Sequence, residues 1–285
     1  MRYYFWPAIL LVKLIASKSN TLYKLLLYFG FYSPGPRSSS CSDRFLSTFR
    51  SYYLDAKQLL PTEKLNLVCE LGPGGTDFAQ LAAAENNVKL FDQIDIIPLR
   101  MSFIDQEKKF SRVSNSVFSK ARKAKLRNEY NYYDKGLKSL QSLPAASYEF
   151  VFSHSVLQHI YIDDVEQIVK ELARIGKKDS VHIHFIDLQD CFSGGKNHLR
   201  FSDQLWHSKH IQNAGFYTNR IYADLWIELF LKNGFDLIDY QIENGTKLLL
   251  AKCAVHEDCA ECSKGERMNQ IRLIVRFRKQ EKVEC

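Results

Sequence analysis

A chain of 285 residues with 46% hydrophobic and 13% aromatic content can bury the core of one large domain, and it excludes a disordered, collagen-like or repetitive protein. Its net charge of +7 is a modest excess, too small to mark the whole surface as a polyanion binder. Cysteines at 41, 69, 191, 253, 259, 262 and 285 are odd in number and scattered, which excludes a disulfide framework and fits reduced thiols in a cytoplasm.

Residues 3–12 are apolar but include Pro7 and end at Lys13, so the run is too short for a bilayer span of ~20 residues. Arg2 ahead of it faintly suggests a signal peptide, yet Ile15-Ala16-Ser17-Lys18 is a poor cleavage context. A helix over 8–29 would carry Leu11, Leu14, Ile15, Leu22, Leu25, Leu26 and Phe29 among lysines. Such a helix packs on the domain or lies on a membrane surface, and packing is the expectation. Residues 33–42 are a turn-rich break, helix resumes near Asp43, and Pro61-Thr62 closes an N-terminal helical extension over 1–64.

From there short apolar runs alternate with helical patterns. Strands are predicted at 65–71, 88–97, 129–133, 149–153, 181–188, 235–242 and 271–278. Helices are predicted at 76–85, 102–127, 163–175 and 222–232. The third places Val165, Ile168, Val169, Leu172 and Ile175 on one face, with Gly176 as its stop. This alternation predicts a doubly wound α/β domain with a mostly parallel sheet. The last two runs lack a helix between them and are expected to pair antiparallel at the sheet edge.

The first strand runs into Glu70-Leu71-Gly72-Pro73-Gly74-Gly75-Thr76. In open α/β sheets ligands bind beyond the carboxyl ends of the strands. Gly72 and Gly74 can take positive φ and leave the backbone bare for a ligand. A dinucleotide fingerprint would need a third glycine where Asp77 stands, and that carboxylate would repel a pyrophosphate. Asp95 ends the second strand, where a carboxylate can accept both hydroxyls of a ribose. Acidic groups beside a bare turn suit a cationic nucleoside better than a phosphate.

The run from Glu70 to Thr76, then Asp95, then Ser147-Tyr148-Glu149-Phe150-Val151-Phe152-Ser153-His154-Ser155-Val156-Leu157-Gln158-His159-Ile160 resembles the class I S-adenosylmethionine-dependent methyltransferases over about 65–278. The resemblance implies a Rossmann-like, seven-stranded sheet with an antiparallel edge strand, in a domain at 65–285. It implies S-adenosylmethionine as cofactor, with the glycine loop (Gly72, Gly74, Gly75) cupping its methionine part and Glu70 supporting the loop. Asp95 would bind the ribose, Asp134 would meet the adenine, and Ser153 would begin the stretch that lines the transfer site. The family often has Asp where Glu149 stands, and Leu-Lys-Pro-Gly-Gly where this chain has Ile175-Gly176-Lys177-Lys178. Both differences loosen a subfamily assignment.

Methyl transfer to oxygen needs alignment, exclusion of water and usually a base or a metal. His159 and His154 are the candidate bases, against the alternative that either ring is packing. Residues 194–233 read as a lid that selects the substrate, with His198, Arg200, Trp206, Tyr217, Asn219 and Arg220 suited to stack on and hydrogen-bond a sugar or nucleoside. The alternative is a structural lid whose aromatics pack on the sheet. His182 and His184 share one face of a strand and are expected to be core groups. Cys253, His256, Cys259 and Cys262 recur every third residue, but four ligands within ten residues would strain a zinc site, so free thiols are expected and no metal.

The expected function is methylation of a small or glycan-like acceptor, at oxygen, by a cytoplasmic protein with peripheral membrane contact open through its first helix. Two alternatives stand beside it. The helix at 108–127 carries Lys108, Lys109, Arg112, Lys120, Arg122, Lys123, Lys125 and Arg127 without an acid, and could grip RNA, although a solvated helix face is the expected reading. The fold could also be a non-catalytic scaffold at a membrane surface.

Overall fold

The computed structural model describes residues 7, 8, 10, 11, 15, 39–62, 65–74, 78–96, 129–191, 195–213, 215–245, 255–261 and 264–280. The basic stretch 108–127, most of the 8–29 helix, Gly75, Cys253 and Cys262 lie outside these residues. Among the described residues no helix is long and apolar enough to cross a membrane.

Helix α1 (Ser39–Leu59) leads into strand β1 (Leu67–Leu71), then α2 (Phe78–Glu85), β2 (Leu90–Ile94) and β3 (Glu129–Tyr133). Next come α3 (Leu137–Ser142), β4 (Tyr148–His154), α4 (Ile162–Ile175) and β5 (Gly176–Asp187). Several short helical turns lead to α5 (Ala223–Lys232), β6 (Phe235–Asn244) and β7 (Gln270–Lys279). The seven strands are ordered β3-β2-β1-β4-β5-β7-β6. Strands β1 to β5 pair parallel. The last two strands form the antiparallel pair at the sheet edge that the sequence predicts, with β7 paired to β5 and β6 outermost. The order reverses between β1 and β4, which opens a crevice at their carboxyl ends.

Period-two alternation explains the two cores. Val68, Phe91, Phe150, Phe152, Val181 and Ile183 face one side, under α1 and α2. Cys69, Val151 and Ile186 face the other, under α4 and α5. All five apolar residues read onto one face of α4 are buried. Helix α1, read from the sequence as part of an extension, puts Leu46, Phe49, Tyr52, Tyr53 and Ala56 into the first core. Their spacing of three and four residues makes one apolar stripe. Arg50 fixes α1 to α2 with two hydrogen bonds to Glu85, at 2.7 and 2.6 Å. Arg276 on β7 reaches Asp55 of α1 at 2.7 Å. Glu149, where the family often has Asp, accepts hydrogen bonds from the backbone N–H groups of Asn66 (2.7 Å) and Leu67 (3.2 Å), and so fastens the start of β1 to β4.

Three histidines sit in these layers. His182 and His184 are buried on the α5 side, where their rings pack on Phe235 and Phe230. His154 packs between α1 and Phe185, with ring centroids 4.4 Å from Phe185. Burial lowers the His154 pKa to about 4 and the His184 pKa to about 3, and it holds His182 well below its ordinary value. The unfolded chain takes up these protons near pH 6.5. Between pH 6.5 and 4 it therefore binds more protons than the native chain, and stability falls as the pH drops, by up to ~1.4 kcal/mol per pH unit per histidine. Urea unfolding at pH 7, 5.5 and 4.5 should show this decline, and His154→Phe should flatten it. An unchanged slope in that variant would mean the His154 ring is not held neutral.

Candidate active site

Strand β1 ends in a bend that glycine alone accommodates. Gly72 has φ +74° and Gly74 has φ +64°. The two serve different ends. A Cβ on Gly72 would lie 2.2 Å from Cγ2 of Val156, so this glycine permits close packing against the segment after β4. A Cβ on Gly74 would meet nothing within 4 Å, so this glycine borders open space. The Gly72 N–H donates to the Ile94 carbonyl at 2.7 Å, which ties the bend to the end of β2.

Asp95 follows β2 directly, and its backbone N–H donates to the Tyr133 carbonyl of β3. Its Oδ2 accepts the Gly74 N–H at 2.9 Å, and its Oδ1 accepts the N–H of Ile96 at 2.7 Å. The carboxylate thus stands at the rim of the bend. Glu70 is buried and accepts a hydrogen bond from Gln93 Nε2 at 2.6 Å, and Gln93 Oε1 in turn accepts from Gln80 Nε2 at 2.5 Å. This chain braces β1, β2 and α2 beneath the bend. Asp134 lies exposed just beyond β3. The space over Gly74, open among the described residues and with one carboxylate at its edge, is where the resemblance expects a cationic nucleoside.

Past β4 the candidate residues separate. The buried Ser153 hydroxyl meets His184 Nδ1 at 2.9 Å, so its side chain is engaged inside the sheet. His154 Nδ1 meets the Tyr52 hydroxyl at 2.8 Å, and Phe45, Phe49 and Phe185 surround the ring. A ring so placed is a packed, weakly basic group. His159 is different. Its Nδ1 donates to the Tyr217 carbonyl at 2.6 Å, which leaves Nε2 beside Cys191 Sγ at 3.6 Å and Gln158 Nε2 at 3.4 Å. Burial opposes its charge, but the Cys191 sulfur, the Tyr217 carbonyl and Asp187 outweigh it and raise its pKa to about 9.

The lid residues also divide. Trp206 is fully buried, donates from Nε1 to the Thr218 carbonyl at 2.7 Å and packs with Leu10, Ile211, Phe216 and Tyr217 in a core of their own. Leu10 belongs to the first helix, whose Leu11 and Ile15 are exposed. The Tyr217 hydroxyl meets His207 Nδ1 at 2.8 Å. These aromatics are thus spent inside the protein, as in the structural-lid alternative. Arg200 binds Asn197 Oδ1 at 2.7 Å. Asn219 Nδ2 donates to the carbonyls of Leu157 and Ile160, so it clamps the lid to the turn after β4. Arg220 bonds Asp203 at 2.8 Å and the carbonyls of His198 and Phe201.

Together these contacts frame a small, partly open polar pocket past the end of β5. Gln158, Asp187, Lys196, His198, Thr218 and Arg220 supply its polar lining. Two residues beside it hold left-handed backbone without being glycine, Ser155 at φ 56° and Arg220 at φ 63°, a form of strain that gathers at functional sites. Sequence reasoning passed over Gln158, Asp187, Lys196, Thr218 and Cys191. Gln158 adjoins a candidate base and Thr218 lies inside the candidate lid, so adjacency was the available signal. Among the described residues no group of three His, Cys, Asp or Glu side chains is placed to hold a metal. Cys259 is buried and receives a hydrogen bond from Arg220 at 3.3 Å.

Residues 70–183 match the family described as a methyltransferase domain. No curated protein matches the chain. Among solved structures, a candidate sarcosine dimethylglycine methyltransferase from Galdieria sulphuraria is 15% identical, with 85% of this chain and 87% of that one covered, at TM-score 0.51. A candidate S-adenosylmethionine-dependent methyltransferase from Listeria monocytogenes is 17% identical, with 82% and 100% covered, at TM-score 0.45. The N-methyltransferase NodS from Bradyrhizobium japonicum, solved with S-adenosylhomocysteine, is 11% identical, with 83% and 88% covered, at TM-score 0.46.

The two glycines should separate on substitution. Gly72→Ala meets both a positive φ and the Val156 side chain, and should lower the melting temperature by several degrees. Gly74→Ala meets only the backbone cost of about 1 kcal/mol, yet it places a methyl group in the cofactor space. It should stay folded and lose S-adenosylmethionine affinity. Thermal melts and calorimetry check both, and normal cofactor affinity in Gly74→Ala would contradict the assignment of that space.

Proposed function

We propose, from the premise that the chain belongs to the class I S-adenosylmethionine-dependent methyltransferases, that it methylates a hydroxyl oxygen of a small, sugar-like acceptor. Its methyl-transferring class is supported by the family match over residues 70–183, and the acceptor and its oxygen are our reading. S-adenosylmethionine, when bound, supplies an electrophilic methyl group on a sulfonium centre. Gly72 and Gly74 leave room for it, Asp95 accepts its ribose hydroxyls, Asp134 lies toward the adenine end, and Glu70 braces the loop; Gly75, which the resemblance also assigns to the loop, lies outside the described residues. Residues 65–285 form the catalytic unit, which α1 completes from outside it by covering one face, and 194–233 close over the acceptor.

The observation that carries the oxygen reading is the orientation of His159. The Tyr217 carbonyl fixes Nδ1 as the protonated nitrogen, so in the neutral ring Nε2 is the one able to take a proton. Gln158, the next residue, lines the polar pocket. An acceptor hydroxyl held there would pass its proton to Nε2 as the oxygen is methylated. His154, packed against α1 with Nδ1 engaged, supports the structure instead.

A base must be unprotonated to act. With a pKa near 9, His159 should make the rate climb through the neutral range and level off only above pH 9. Cys191→Ser removes the sulfur that raises that pKa, so the rising limb should move to lower pH. His159→Gln should lower kcat at least a hundredfold on the plateau above pH 9, the usual share of one general base, and flatten the rise below it. A pH profile that Cys191→Ser leaves in place, or a His159→Gln enzyme with near-normal kcat, would remove His159 from this role.

A further inference from the structure

The pocket past β5 contains two buried polar atoms that the protein does not satisfy. Gln158 is 4% exposed and Thr218 is 3% exposed, yet among the described residues Gln158 Oε1 and Thr218 Oγ1 have no hydrogen-bond partner. Both residues line the pocket. They are held side by side, because the Asn219 N–H donates to the Gln158 carbonyl at 2.8 Å and Asn219 Nδ2 anchors on Leu157 and Ile160. A buried acceptor without a donor costs about 1–3 kcal/mol, so a pair of them on one wall is a standing demand for donors. Asp187, at the end of β5, adds a carboxylate to the same lining and accepts the Gln189 N–H at 3.0 Å.

We infer that this pocket is a recognition subsite for two neighbouring hydroxyl groups, as on a sugar or cyclic polyol, with Gln158 Oε1 and Thr218 Oγ1 receiving them. The charge balance separates hydroxyls from amines. In the lining Lys196 stands against the single carboxylate of Asp187, Arg220 is already paired with Asp203, and burial lowers the His198 pKa, so no carboxylate is left over for an ammonium group. Lys196 is anchored by its Nζ on the Arg267 carbonyl at 2.7 Å, which holds its charge at the wall. Neutral hydroxyls satisfy the orphaned atoms without adding charge. A ligand whose hydroxyls are adjacent can meet both clamped segments at once. The inference rests on the proposed acceptor site, and it names what that site selects.

The test uses the full chain saturated with S-adenosylhomocysteine and three probes: myo-inositol, methyl α-D-glucopyranoside and ethanolamine. Saturation-transfer NMR should detect the two polyols and not the amine. Gln158→Met and Thr218→Val should each weaken polyol binding about five- to tenfold, the worth of one hydrogen bond. S-adenosylhomocysteine affinity and melting temperature should stay within error in both variants, since neither atom is bonded in the free protein. Absence of transfer from both polyols, equal transfer in the variants, or preference for ethanolamine would overturn the inference. So would a marked loss of melting temperature in both variants, which would assign the two atoms to structural water. Failure of S-adenosylhomocysteine to bind would instead count against the methyltransferase reading, and polyol transfer measured without it would still judge the subsite.

Discussion

Where β1 ends, a left-handed backbone bend meets a carboxylate. Gly74 offers its N–H to Asp95, and that one hydrogen bond joins the carboxyl ends of two adjacent strands. The bend needs glycine for two separate reasons, close packing against Val156 at Gly72 and open space at Gly74. The carboxylate needs β2 in register with β1 and β3, which the parallel pairing supplies from Leu67–Leu90 through Ile94–Tyr133. The remainder of the molecule keeps this corner in place. Glu70, Gln93 and Gln80 brace it from below, and Val156 closes it from the side of β4.

Two further assemblies rest on the same sheet. Helix α1 covers one face and encloses His154 in aromatic rings, so a histidine at a strand end becomes part of a dry layer. The segment after β5 builds a small core around Trp206 and from it presents the Tyr217 carbonyl to His159 and Thr218 to the pocket. Trp206, Phe216 and Tyr217 therefore position polar groups without lining the pocket themselves.

The periodic parts of the fold were legible in the sequence. Helix α4 has five apolar residues at helical spacing and a glycine stop, and each strand has a short apolar run. The glycine bend and Asp95 were legible because their chemistry is local to strand ends. The order of β6 and β7 was not legible, because pairing between distant strands leaves no mark on either run. The fate of Ser153, His154 and Trp206 was not legible for a related reason. Each meets a partner far along the chain, His184, Tyr52 and the Thr218 carbonyl respectively, and only the folded arrangement decides whether a polar group faces a ligand or the core. Gln158 and Thr218 looked ordinary until their burial and lack of partners set them apart.

The most direct measurement is isothermal titration of S-adenosylmethionine into the wild-type protein and into Asp95→Asn. The asparagine keeps the size of the side chain and an oxygen for the Gly74 N–H, but removes the charge that would accept both ribose hydroxyls. Loss of charged hydrogen bonds of about 1.5–3 kcal/mol predicts an affinity ten- to a hundredfold weaker, while loss of the acceptor for the Ile96 N–H lowers the melting temperature by no more than a few degrees. Equal affinity in the two proteins would show that the cofactor's sugar does not rest on Asp95, and would contradict the placement of the site at this bend.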